Sequence, residues 1–181
     1  MASLTIKNDV IWHIGKFDKA PFSVNSKVQL KVDEQQRRLF ARVHSAGHLL
    51  DVCMSRAGRS DLKPSKGYHF ATGAYVEYVG EVAEADRKPL CDKLNELARE
   101  IIDGYARDKP VFKKICTYEE AGQQLCKAGG VPPYIAQGSE VRVLKLTEDD
   151  PGCPCGGTHV GHVSDIEQIY ISKIVKKGKS I

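Results

Sequence analysis

Through residues 4–32, apolar side chains recur at alternate positions in three short pieces, LTI, VIWHI and KVQLKV, parted by GKFDKAPFSVNS with its turn-forming Gly, Pro and Asn. Alternation of this kind predicts small antiparallel strands. From Leu39 the period lengthens. Leu39, Val43, Ala46, Leu50 and Met54 fall on one helical stripe and Gly58 supplies a stop, so the spacing predicts a helix over 39–57. The stretch GYHFATGAYVEYVGEV returns to alternation about Thr72 and Gly73, which predicts a hairpin from Tyr68 to Val82. A second, longer helix follows, with Leu90, Leu94, Leu97, Ile101 and Tyr105 in register, Asp86 as its N-cap and Pro89 in its first turn. Beyond it, PVFKKICTY reads as a strand, EEAGQQLCKAG as a short helix ending at Gly129, EVRVLKL as a strand, and IEQIYISKIVKK as the last strand. The order predicts an α+β fold: a largely antiparallel sheet with two main helices and a small β lead-in.

Composition narrows the class without naming a chemistry. At 181 residues the chain can bury a substantial core and is most simply one domain with a small appendage: a β lead-in over 1–38 ahead of a main domain over 39–181. No segment reaches the ~20 apolar residues of a membrane span, and the start lacks the basic and apolar regions of a leader; a cytoplasmic location is expected. Six cysteines in such a chain should stay reduced. Only Cys153 and Cys155 cluster, leaving Cys53, Cys91, Cys116 and Cys126 as small buried hydrophobes. A net charge of +4 permits a polyanionic partner without demanding one.

The candidate chemistry lies in HSAGHLL and CPCGGTHV. His44 and His48 are four apart on the first predicted helix and therefore share a face. Histidines fall four apart by chance often enough that this pair alone decides nothing. Cys155 and His159 repeat the spacing in a glycine-rich bend, where Gly156 and Gly157 let a thiolate and an imidazole turn toward one ion. Imidazole nitrogen and thiolate sulfur are the donors zinc prefers, so the four residues together predict a Zn2+ site. Cys153 is an alternative to Cys155, although Pro154 between them makes joint ligation awkward. A metallopeptidase would need Glu after the first His, to take a proton from metal-bound water; Ser45 stands there instead. Asp51, near His48 on the same helix, is a candidate to orient its imidazole. His13 reads as structural, and His69 and His162 as partly buried polar residues close to the site.

RVHSAGHLL with CGGTHV resembles the alanyl-tRNA editing family, which comprises stand-alone AlaX-type proteins and the editing domain of alanyl-tRNA synthetase, with a related domain in threonyl-tRNA synthetase. The likeness runs from VIWHIGKFDKAPFSVNSKVQLKVDEQQRRLFARVHSAGHLL through KGYHFATGAYVEY and the long helix to CGGTHV. It implies an editing-domain fold whose residues 1–38 correspond to the end of an N-terminal barrel. It also implies zinc on His44, His48, Cys155 and His159, and hydrolysis in trans of the ester in alanine tRNA mischarged with serine or glycine. Two departures stand out: Gly47 stands where the family often has a pocket Thr, which bears on specificity, and VSDIE (163–167) replaces the usual TGEIG.

The substrate contacts implied by the resemblance fall on Gly47 and, in the segment matching PSKGYHF, on Ser65, Tyr68 and His69. Ser45 is a further candidate to bond a serine hydroxyl, a contact whose loss with alanine would give discrimination. The tRNA acceptor end would meet basic clusters at Arg37, Arg38 and Arg42, at Lys113 and Lys114, and at Lys176, Lys177 and Lys179. A rival reading is a non-catalytic tRNA-binding accessory module with structural zinc. No phosphate-binding GxxxxGK[ST] loop is present, so ATP is not expected, and a monomer is favoured.

Overall fold

The computed structural model describes residues 3–8, 10–16, 18–19, 22–104, 107–125, 129–148, 150–176 and 181. Tyr105, Cys126, Lys177 and Lys179 lie outside them. The chain divides into two units, Met1–Val32 and Asp33–Ile181, a boundary ahead of residue 38 because the first helix begins earlier than its apolar stripe indicates. In the first unit, β1 (Ser3–Lys7) and β2 (Val10–Ile14) form an antiparallel hairpin with Lys7 opposite Val10. The expected strand KVQLKV is absent: residues 27–32 are exposed and unpaired among the described residues. Alternation makes a strand only where a neighbour completes the ladder.

The second unit is α+β, as the patterning predicts, with antiparallel pairing in its sheets. Helix α1 spans Glu34–Arg56; Asp33 caps it by accepting from the Gln36 N–H at 3.0 Å, and Glu34 adds a favourable charge to the first turn. Gly58, with φ +76°, follows its end. A hairpin of β3 (Lys63–Tyr68) and β4 (Tyr75–Val79) comes next, its register broken between Pro64 and Lys66. Helix α2 covers Glu84–Asp103, starting before the expected Asp86 cap. The Asp86 N–H already bonds the Ala83 carbonyl, which places Pro89 inside the helix and beyond its first turn. Then β5 (Phe112–Cys116), α3 (Tyr118–Gln124), β6 (Val141–Lys145) and β7 (Cys153–Pro154) build a sheet of order β5-β6-β7. Thr117 and Glu120 cap α3 reciprocally, and it stops at Leu125 ahead of the expected Gly129. A 3-10 turn spans Val163–Ile166.

The core joins α1, α2 and the chain around the 3-10 turn through Leu49, Val52, Leu94, Ile101, Leu144, Val163 and Ile166. Each such side chain contributes about 1.5–3 kcal/mol on leaving water. A smaller cluster of Cys116, Ala121, Leu125, Val141 and Val143 fixes α3 to the sheet. Cys53, Cys91 and Cys116 are buried, as expected of isolated free thiols. The expected final strand does not form over 167–176. Its ladder groups are taken by a side chain instead: the Ile171 N–H donates to Asn95 Oδ1 at 2.8 Å, and Asn95 Nδ2 donates to the Ile171 carbonyl at 3.0 Å. None of the helices among the described residues is long and apolar enough to cross a membrane.

Candidate metal centre

Helical spacing brings the His44 and His48 rings to 4.9 Å between centroids on one face of α1. The loop leaving β7 delivers Cys155 and His159 to the same place. This loop is fastened to the sheet by Arg142 of β6, whose Nη1 donates to the Cys155 and Gly157 carbonyls at 2.7 and 2.9 Å, while the Cys155 N–H donates to the Arg142 carbonyl at 2.9 Å. Lys113 Nζ donates to the Val160 carbonyl at 2.9 Å. The loop is fastened to α1 by Ser45, fully buried, whose hydroxyl accepts from the Val160 N–H at 3.1 Å. Gly157 is required by space: a Cβ there would lie 2.3 Å from His44 Cε1. Sequence reasoning did not find Arg142, since a lone arginine in a strand carries no pattern.

One donor atom from each of His44, His48, Cys155 and His159 lies within 4.8 Å of the others, so the group can hold a metal ion. Bonds of about 2.0–2.3 Å at tetrahedral angles set neighbouring ligand atoms roughly 3.3–3.8 Å apart. Cys155 Sγ is 3.5 Å from both His44 Nε2 and His159 Nε2. His48 Nε2 is buried with no hydrogen-bond partner, the condition a bound cation would relieve. The imidazoles are kept neutral, as ligation requires. Burial, then the neighbouring His44 and His159, holds His48 down to about 3; burial, then His44 and Arg142, holds His159 down to about 4. His44 is lowered chiefly by burial and by His69.

Behind His48 sits a polar chain. Its Nδ1 is 3.3 Å from Cys153 Sγ and 4.0 Å from Asp51 Oδ2, and the Tyr78 hydroxyl donates to Asp51 Oδ1 at 2.6 Å. Burial raises Asp51 to about 6, against the lowering effect of the Tyr78 bond. Cys153 thus lies beside His48 and outside the four-residue group, and burial pushes its thiol up.

The remaining sequence candidates separate. His69 comes within 4.6 Å of His44, ring to ring, and lines a cavity of ≈ 620 Å³ together with Gly47. Ser65 donates to the Glu77 carbonyl at 3.2 Å, and Tyr68 stacks on Tyr75 at 5.4 Å, so both are engaged within the β3–β4 hairpin. Arg42 is ion-paired with Glu167. His13 lies exposed on β2, and His162 pairs with Asp165 at 3.7 Å. Most of the basic clusters are committed internally: Arg38 to Glu34, Lys113 to the Val160 carbonyl, Lys114 to Glu120 and Lys176 to Glu81.

Fold and site together define an α+β protein with a three-histidine, one-cysteine group suited to a metal ion. The chain resembles the alanyl-tRNA editing family, and curated proteins similar to it include alanine–tRNA ligases. It is 30% identical over 186 aligned positions to the ligase of Burkholderia vietnamiensis, covering 97% of this chain and 19% of the ligase. To that of Mycoplasmoides gallisepticum it is 28% identical over 166, covering 92% and 18%. To that of Ureaplasma parvum it is 29% identical over 175, again 92% and 18%. The chain therefore spans less than a fifth of the length of the curated relatives it matches. No family model matches it.

Proposed function

We propose that the protein is a zinc-dependent aminoacyl-tRNA deacylase that works in trans in the cytoplasm, removing serine or glycine from mischarged alanine tRNA as translation quality control. The observation that carries the reading is the convergence of His44, His48, Cys155 and His159, from segments more than a hundred residues apart, on donor atoms within 4.8 Å of one another. Similarity to alanine–tRNA ligases along 92–97% of the chain supports the choice of substrate. When bound, zinc would supply Lewis acidity toward the ester or toward water. An aminoacyl ester is already activated, so the chain has mainly to place it. Gly47 and His69 bound the cavity beside the ligands, and Ser65 and Tyr68 shape the hairpin that flanks it. Arg37, Arg38 and Arg42, on the N-terminal half of α1, would meet the phosphates of the acceptor end, Arg38 and Arg42 exchanging their partners Glu34 and Glu167 for them. Neither ATP nor a membrane is required.

The donor set itself favours a second reading. Four protein ligands complete a tetrahedral shell, which is the structural kind of site; the protein would then be a tRNA-binding accessory module. Zinc counted per chain, followed by release of serine from mischarged tRNA, separates the two. Turnover by the wild type and none by a folded Cys155→Ala variant supports the deacylase, whereas tRNA binding by zinc-loaded protein without turnover overturns it.

A further inference from the structure

The imidazole of His69 occupies a slot that exists only because two glycines face it from different elements. A Cβ on Gly47 of α1 would lie 2.4 Å from His69 Cε1, and one on Gly67 of β3 would lie 2.3 Å from Nε2. Gly47 has helical backbone geometry, so conformation does not call for glycine there, and glycine inside a helix costs about 1 kcal/mol relative to alanine. Gly67 weakens its strand in the same way. What both positions share is the ring they admit.

That ring sits between the metal-ligating group and the cavity. It is 4.6 Å from the His44 ring and 6.4 Å from that of His48, and it lines the 620 Å³ space, whose neighbouring wall is apolar: Val43, Ala46, Leu50 and Met54. Among the described residues neither nitrogen of His69 is hydrogen-bonded to protein. An imidazole offers one donor and one acceptor, the complement of a hydroxyl. A methyl in the same place would leave it desolvated and unpaired.

We propose that His69, seated by Gly47 and Gly67, determines amino-acid specificity by hydrogen-bonding the side-chain hydroxyl of a seryl ester and disfavouring alanyl. The proposal rests on the deacylase reading and goes beyond it in assigning the discrimination to this one ring.

The test is calorimetric binding of non-hydrolysable seryl- and alanyl-adenosine amides to the zinc-loaded protein, with zinc content and melting followed for every variant. The wild type is expected to favour the seryl amide tenfold or more. His69→Phe, which refills the slot without polar atoms, should bring the ratio close to one by weakening seryl binding and relieving the penalty on alanyl, while zinc content holds. Gly47→Ala should do the same by expelling the ring, and Gly47→Ala combined with His69→Ala should be no worse than either alone, because both remove one contact. A seryl preference that survives in His69→Phe and His69→Ala overturns the proposal and leaves the deacylase standing. A wild type that binds neither amide and cleaves no mischarged tRNA overturns both.

Discussion

Ser45 makes the site's dependence on single residues measurable. Its hydroxyl is buried against the Val160 N–H, so Ser45→Ala strands a donor, at a cost of about 1–3 kcal/mol. It also unties the loop that carries His159, so urea unfolding should shift to lower denaturant and zinc should be lost to a chelator at lower concentration. Unchanged stability with altered amino-acid selectivity would instead place this hydroxyl against substrate. Gly157→Ala acts from the opposite side of the same junction. Its methyl would fall 2.3 Å from His44 Cε1, and because it points at a ligand rather than into the core, zinc affinity should drop tenfold or more while the circular dichroism spectrum is kept. The four residues that can hold a metal ion were readable from spacing, since i, i+4 on a helix and CxxxH in a glycine bend each force two side chains together. What fastens them was not. Arg142, Lys113 and Ser45 act through carbonyls and an N–H distant in sequence, and no local pattern encodes such partners.

At the scale of elements, legibility depended on whether a segment's surroundings match its own periodicity. In α2, the stripe Leu90, Leu94, Leu97 and Ile101 is the buried face. In α1, the buried residues are Ala41, Ser45, Leu49, Val52, Cys53 and Met54, a face that shares only Met54 with the apolar stripe, because it includes a serine and because Val43, Ala46 and Leu50 look into the cavity. Strand β3, KPSKGY, has no alternation to detect; β4 supplies its ladder. The segment IEQIYISKIVKK has the alternation and lacks the ladder, since Asn95 of α2 takes both backbone groups of Ile171. Asn95→Ala should therefore cost about 1–3 kcal/mol and greatly speed hydrogen exchange at the Ile171 amide. Slow exchange in the variant would mean that another group holds the segment.

For the whole molecule, the shifted imidazoles tie folding to pH and to metal in one sense. In metal-free protein, burial and mutual repulsion keep His48 near 3 and His159 near 4, with His44 and His69 also lowered, whereas an unfolded chain protonates its histidines near 6.5. As pH falls from 6.5 toward 4, the unfolded state binds protons that the folded state refuses, and stability falls. Asp51, raised to about 6, and Asp150, raised by burial, work in the opposite sense: the folded chain binds their protons first, which adds stability as pH falls through the same range. Four imidazoles oppose two carboxyls, and their effect begins at higher pH. The net result should be a loss on the order of a few kcal/mol, seen as a falling urea midpoint between pH 7 and pH 4.5 in the presence of a chelator. Zinc should raise the midpoint at pH 7, because it binds only the folded arrangement, and should steepen the decline, because protons compete for the same nitrogens. A chelated protein that gains stability on acidification would mean that Asp51 and Asp150 outweigh the histidine cluster.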